Sequence, residues 1–175
     1  YQQLGGRVIA ISCWNEADKK AYTFRNKNGF DVKALSAITD SYGTIDKEKA
    51  KSLGCDILPG EAWIEQDVDI LIPAALENQI TIENVHKISK QVKVIVEAAN
   101  GPTTTDADEV IRNSNIFLVP DFLANAGGVT CSYFEQVQSN MNYFWEKDEV
   151  LEKLDTKMTA AFKAVYELSQ NRNLY

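Results

Sequence analysis

The chain is predicted to fold as an α/β domain built on a mostly parallel, doubly wound sheet with flanking helices. Three features of the sequence carry that expectation. Short runs of Ile, Val and Leu recur along the chain, polar segments with helical periodicity separate them, and loops of small residues leave the runs at corresponding ends. Continuous apolar runs describe strands covered on both faces, as parallel sheets require.

The 175 residues suit about one domain, and 45% hydrophobic with 25% charged residues is ordinary globular composition. The formal charge is −7, from 18 Lys+Arg against 25 Asp+Glu. An acidic chain without a basic cluster disfavours nucleic acid as a partner, because phosphate binding needs concentrated Lys and Arg. No apolar run approaches the roughly 18 residues of a membrane span. Cys13, Cys55 and Cys131 are widely spaced with no Cys-x-x-Cys pair, which argues against a disulfide framework or a metal site and suits a reducing, cytoplasmic setting. The chain opens on Tyr1 without the pattern of a signal peptide and is expected to be cut from something longer.

In chain order, Leu4-Gly5-Gly6 is expected to close a helix, because glycine suits the left-handed residue there. Residues 7–13 then form the first buried strand. Asn28-Gly29 marks a tight turn before a helix over residues 34–42. Residues 69–73, 92–98 and 116–120 are three more buried strands. Between them, residues 81–90 carry Ile82, Val85 and Ile88 on one side of a helix, and Thr105 caps a second helix with Asp106 and Asp108 in its first turn. Leu151, Leu154, Met158, Phe162, Val165 and Leu168 recur every three or four residues, predicting a long amphipathic helix over 148–171 that packs on the sheet.

Ligands of open parallel sheets bind beyond the carboxyl ends of the strands. Three loops leave such ends: Pro73-Ala74-Ala75-Leu76-Glu77-Asn78, Glu97-Ala98-Ala99-Asn100-Gly101-Pro102, and residues 120–128 with Leu123-Ala124-Asn125-Ala126-Gly127-Gly128. Each pairs small residues, which permit close backbone approach, with an Asn able to donate and accept hydrogen bonds. Together they outline a pocket for a flat ring bearing an amide. The Gly127 and Gly128 amides are expected in the first turn of the next helix, favourable for a negatively charged group.

These three motifs, with the continuation Val129-Thr130-Cys131-Ser132-Tyr133-Phe134-Glu135, resemble the cofactor domain of hexameric glutamate dehydrogenases, strongly over residues 66–166 and weakly over 5–65. The resemblance implies a Rossmann-like fold and a nicotinamide dinucleotide as cofactor. It implies that the Ala74 and Ala75 backbone lies along the nicotinamide ribose and that Asn100 and Asn125 bracket the nicotinamide. It further implies that Gly128, Val129 and Ser132 close over a small amino-acid substrate, the Ser132 hydroxyl reaching the glutamate side-chain carboxylate. The parent is then a homo-hexamer that deaminates L-glutamate oxidatively to 2-oxoglutarate and ammonia.

The family's Gly-rich phosphate loop with its strand, its substrate domain, and its catalytic Lys and Asp fall outside these 175 residues, so residues 1–175 are expected to be a dinucleotide-binding fragment, inactive alone, with no catalytic residue and no metal ligand of its own. Dinucleotide folds usually place an acid at the end of the first strand to bind the ribose 2′-hydroxyl. Cys13 stands there instead, and Glu16 is the candidate substitute, which leans the coenzyme towards NAD and leaves NADP open. The rival readings are a leucine, valine or phenylalanine dehydrogenase, which Ser132 disfavours, and a nucleotide-binding or assembly module without turnover. His86, the only histidine, is read as a solvated helix residue, and Tyr133, Phe134, Tyr143, Phe144 and Trp145 as core or interdomain contacts.

Overall fold

A computed structural model describes residues 2–172 and, within them, all but the side chain of Gln3. The described residues divide into two compact units. One comprises the chain up to Val68 with Lys87–Gln91; the other comprises Asp69–His86 and the chain from Val92 onward.

In the first unit, a short 3₁₀ turn over Gln2–Leu4 ends at Gly5, whose φ of 84° is the left-handed conformation expected of a closing glycine. Strands β1 (Ala10–Asn15), β2 (Lys20–Arg25) and β3 (Asp56–Pro59) form an antiparallel sheet in that order, with Ser12 opposite Thr23 and Thr23 opposite Leu58. The expected first parallel strand is therefore corrected to a hairpin strand. Its apolar run reads like a doubly covered strand, but four residues after Asn15 the chain turns back at Lys19, φ 52°, and the β-branched and aromatic run Tyr22-Thr23-Phe24 becomes its neighbour. The turn at Asn28-Gly29 forms as expected, with Gly29 at φ 92°.

Helix α1 (Val32–Ala37) is capped by Asp31 and stops well before residue 42, because Asp40 draws the Tyr42 and Thr44 amides onto its carboxylate and Gly43 turns at φ 84°. Helix α2 (Lys47–Ser52) is capped by Asp46 in the same way. Phe24, Phe30, Leu35, Ile45, Ala50 and Cys55 form the core beneath the sheet.

Gly60 sits against this sheet with its carbonyl accepting from the hydroxyls of Ser12, at 3.2 Å, and buried Thr23, at 2.8 Å. A Cβ at residue 60 meets the Ala21 Cβ at 2.5 Å and the Ala21 backbone at 2.9 Å.

In the second unit, β4 (Ile70–Leu71), β5 (Val94–Val96) and β6 (Phe117–Val119) form a parallel sheet in sequence order, with Ile70 opposite Val94 and Ile95 opposite Leu118. Leu71, Ile95 and Leu118 are buried, and Ile80, Ala107, Ile111, Leu123 and Phe134 are among the other buried apolar residues of this unit. The α/β class and the parallel sheet are thus as predicted. Helix α3 (Thr105–Arg112) follows β5; its N-cap residue is Thr104 rather than Thr105, and no side chain caps it.

The helix expected over residues 81–90 is absent; only a 3₁₀ turn over Val85–Lys87 forms. The Asn84 carboxamide accepts from the Thr81 amide at 2.8 Å and donates to the Gln79 carbonyl at 2.9 Å, so a side-chain turn replaces the continuing helix. Beyond β6 come α4 (Asp121–Ala124), α5 (Ala126–Met141) and α6 (Lys147–Arg172). Helix α6 matches the predicted span and touches β6 through an edge-on contact of Tyr166 with Phe117, centroids 5.9 Å apart. It does not bury its stripe as expected: no α6 residue is buried, and Leu151, Phe162 and Leu168 stay largely exposed. Among the described residues no helix is long and apolar enough to cross a membrane.

Gly60→Ala is expected to lower the stability of the chain by about 1 to 3 kcal/mol, because the added methyl drives into backbone rather than into a movable side-chain end. Urea denaturation checks this, and an unchanged midpoint contradicts the close approach.

Candidate functional site

The three small-residue loops lie where the parallel sheet ends, and hydrogen bonds fasten them together. The Pro73 carbonyl accepts from the Ala98 and Ala99 amides, each at 3.0 Å, which joins the loop after β4 to the loop after β5. Farther along, the Asn78 amide donates to the Gly101 carbonyl at 2.9 Å and the Gln79 amide to the Pro102 carbonyl at 2.7 Å. Ala74 and Ala75, which directly follow Pro73, are exposed.

The loop after β5 is joined to the loop after β6 by side chains. Asn125 occupies the N-cap position of α5, where an Asn ordinarily accepts from first-turn amides, yet it caps nothing. Its Nδ2 donates instead to the Ala99 carbonyl at 3.4 Å and to Asn100 Oδ1 at 2.7 Å. A carbonyl only accepts, so Ala99 fixes which end of the Asn125 carboxamide faces inward, and Asn125 in turn fixes Asn100. Asn100 Nδ2 and Asn125 Oδ1 then have no partner among the described residues, which leaves one donor and one acceptor side by side on adjacent groups. Asn100 is exposed and Asn125 half-buried.

Helix α5 begins with Ala126, so the Gly127 and Gly128 amides do stand in its first turn, with open space where a Cβ would lie at each. Gly128 and Ser132 are exposed, as is Val129 at 70%. Ser132 Oγ lies 3.3 Å from the Gly128 carbonyl and donates to it, one helical turn back. All seven residues singled out from sequence therefore belong to the second unit: Ala74, Ala75, Asn100, Asn125, Gly128, Val129 and Ser132. Of these, Asn100 and Asn125 are joined by a side-chain to side-chain hydrogen bond.

Two residues of these loops escaped the sequence reading. Glu97, at the end of β5, is only 8% exposed, and its Oε2 accepts from the Asp121 amide at 3.1 Å. Asp121 Oδ2 accepts from the Gly101 amide at 2.8 Å. Burial pushes the Glu97 carboxyl up from the ordinary glutamate range, the nearby Thr103 hydroxyl and the bond from the Asp121 amide pull it down, and the charges of Asp121 and Asp108 push it up further. The available signal was an acid at the end of a buried apolar strand.

Other residues fall into place without chemistry. The Glu16 carboxylate accepts from the Trp14 indole N–H at 2.9 Å and pairs with Lys19, bonds that hold its pKa below the usual range. His86 is exposed. Phe134 packs edge-on against Trp145, centroids 5.8 Å apart, whereas Tyr133, Tyr143 and Phe144 remain exposed. Among the described residues no cluster could hold a metal ion.

A parallel α/β sheet with small-residue loops converging at one edge defines a Rossmann-type unit. The whole chain, residues 1–175, matches the family model of Glutamate/Leucine/Phenylalanine/Valine dehydrogenase, and the protein belongs to that family. It is 45% identical over 172 residues to the NAD-specific glutamate dehydrogenase of Staphylococcus aureus (strain COL), covering 98% of this chain and 38% of that protein. Among solved structures, glutamate dehydrogenase from Peptoniphilus asaccharolyticus superposes with a TM-score of 0.75 at 38% identity, over 99% of this chain and 37% of that one. The hetero-hexameric glutamate dehydrogenase from Thermus thermophilus superposes with a TM-score of 0.79 at 25% identity, over 99% and 38%. The chain thus spans less than two fifths of the length of these relatives.

The raised pKa of Glu97 has a testable sign. The folded state holds this proton more tightly than the unfolded chain, so Glu97 removes stability as pH rises from the ordinary glutamate value through the raised one. Glu97→Gln is neutral throughout and lacks that loss. Its melting temperature relative to the wild type is expected to climb as pH rises above the ordinary glutamate value in parallel thermal melts. A difference that stays flat or falls contradicts the desolvated carboxylate.

Proposed function

We propose that this chain is the cofactor-binding part of an NAD-dependent glutamate dehydrogenase. The observation that carries the reading is the asparagine pair, whose free Asn100 Nδ2 donor and Asn125 Oδ1 acceptor complement the oxygen and NH₂ of a primary carboxamide. The nicotinamide ring bears such a group and, when bound, supplies the hydride acceptor. Asn100 donates to the carboxamide oxygen, Asn125 accepts from its NH₂, and the pair orients the ring while Ala74 and Ala75, without bulk, let the ribose approach their backbone. The open space at Gly127 and Gly128 fits the same ligand region. NAD rather than NADP is favoured by the NAD-specific relative.

Gly128, Val129 and Ser132 face the amino-acid substrate. A carboxylate only accepts, so Ser132 must turn its hydroxyl from the Gly128 carbonyl to the glutamate side chain when substrate enters. A hydroxyl suits that carboxylate and is left unpaired against the apolar side chains of leucine, valine or phenylalanine. The base for oxidative deamination comes from outside these 175 residues, so the chain alone is inactive. The complete enzyme is a cytoplasmic homo-hexamer in this reading; the hetero-hexameric relative supports the count of six subunits.

In the complete enzyme, Asn100→Ala or Asn125→Ala is expected to strip a buried partner from the carboxamide at about 1 to 3 kcal/mol, or roughly tenfold to a hundredfold in coenzyme KM or kcat/KM. Unchanged steady-state kinetics for both variants remove the carboxamide site. Ser132→Ala is tested by comparing glutamate with norvaline, which has a similar chain and no charge. The kcat/KM ratio is expected to shift against glutamate by roughly tenfold; an equal fall for both substrates makes Ser132 purely structural.

A further inference from the structure

The two carboxylates that the sequence reading missed form a closed tie between the asparagine loops. The Glu97 amide donates to the Val119 carbonyl at 3.1 Å, so the residue begins as part of the β5–β6 ladder. Its side chain then reaches the Asp121 amide at the start of α4, four residues before Asn125. Asp121 answers in the opposite direction, its Oδ2 taking the Gly101 amide next to Asn100. The other oxygen, Oδ1, takes the Phe122 amide at 2.6 Å. Each loop thereby accepts from the other, and the distance between Asn100 and Asn125 is fixed from behind.

Charge makes this arrangement a demanding way to fasten two loops. Glu97 is buried, and no Lys or Arg lies among the groups that act on its carboxyl, which are Thr103, the Asp121 amide, and the negative charges of Asp121 and Asp108. A buried carboxylate without a cation is destabilising, whereas a carboxylate accepting from backbone amides holds them more firmly than a neutral acceptor does. The arrangement therefore favours a fixed geometry over stability.

We propose that Glu97 and Asp121 are positioning residues for coenzyme binding, a reciprocal carboxylate tie that holds Asn100 and Asn125 in the register that reads a carboxamide. The inference rests on the carboxamide reading above and deepens it. Neither carboxylate touches the ligand in this scheme; both act through the asparagines.

The test uses the full-length enzyme that contains this chain. Glu97→Ala and Asp121→Ala are each expected to raise coenzyme KM by about tenfold while changing kcat much less, and Glu97→Gln, which keeps a carbonyl acceptor, to recover most of the loss. In an Asn125→Ala background, Glu97→Ala is expected to add less than about twofold, since residues acting through one another are not additive. Amide hydrogen exchange read by mass spectrometry is expected to speed up over residues 100–102 and 121–122 in both alanine variants. Asp121 is half-buried, so Asp121→Ala serves if Glu97→Ala fails to fold.

Unchanged exchange in both alanine variants overturns the tie itself. An equal KM increase with and without Asn125 overturns positioning, because a general loosening of the fold persists in either background. Faster exchange together with kinetically silent Asn100→Ala and Asn125→Ala overturns the carboxamide reading and the positioning role with it, leaving only a structural tie.

Discussion

Strand-end backbone groups at the carboxyl edge of a parallel sheet have lost their ladder partners, and a loop that stays there must satisfy them some other way. In the second unit the three loops satisfy one another. Pro73 receives two amides from the loop after β5, Gly101 and Pro102 receive three from the loop after β4, and Asp121 and Glu97 exchange amides between the loops after β5 and β6. Everything proposed about ligand binding depends on this seam. It occupies the backbone groups named above and leaves the Asn100 donor and the Asn125 acceptor unpaired.

The same economy explains why an N-cap asparagine caps nothing. A carboxamide has one acceptor and two hydrogens, and turning it towards Ala99 and Asn100 gives up the bond to the α5 amides. Local helix stability is surrendered for a side-chain orientation, a departure from local rules expected at functional rather than structural positions. Ser132 shows the converse. Its hydroxyl is satisfied within its own helix, so the role proposed for it in choosing glutamate over an apolar amino acid requires the hydroxyl to change partners.

Much of the second unit was legible because its strands are apolar runs and its loops combine Asn with Ala and Gly, residues whose chemistry follows from type alone. The α/β class, the parallel pairing of β4, β5 and β6, the position of α5 with Gly127 and Gly128 in its first turn, and the span of α6 were all readable in this way. Where tertiary partners decide, reading by pattern failed. Residues 7–13 look like a buried parallel strand until Tyr22-Thr23-Phe24 folds back beside them. Ile82, Val85 and Ile88 have helical spacing, but the Asn84 side chain captures the backbone first, and Ile82 remains exposed. Glu97 and Asp121 were hidden for a related reason: an acid's value as a backbone acceptor depends on which amides the fold brings to it, and no spacing rule encodes that.

The pairing of Asn125 with the nicotinamide carboxamide is the central claim, and a coenzyme analogue tests it most directly. In 3-acetylpyridine adenine dinucleotide a methyl replaces the carboxamide NH₂, which removes the hydrogens that Asn125 Oδ1 accepts and nothing else on the ring. Binding of NAD and of the analogue is to be measured by titration in the complete enzyme and in Asn125→Ala. The wild type is expected to prefer NAD by about tenfold, the worth of a buried acceptor left unpaired, and the variant to bind the two alike. Equal preference in wild type and variant contradicts the assignment.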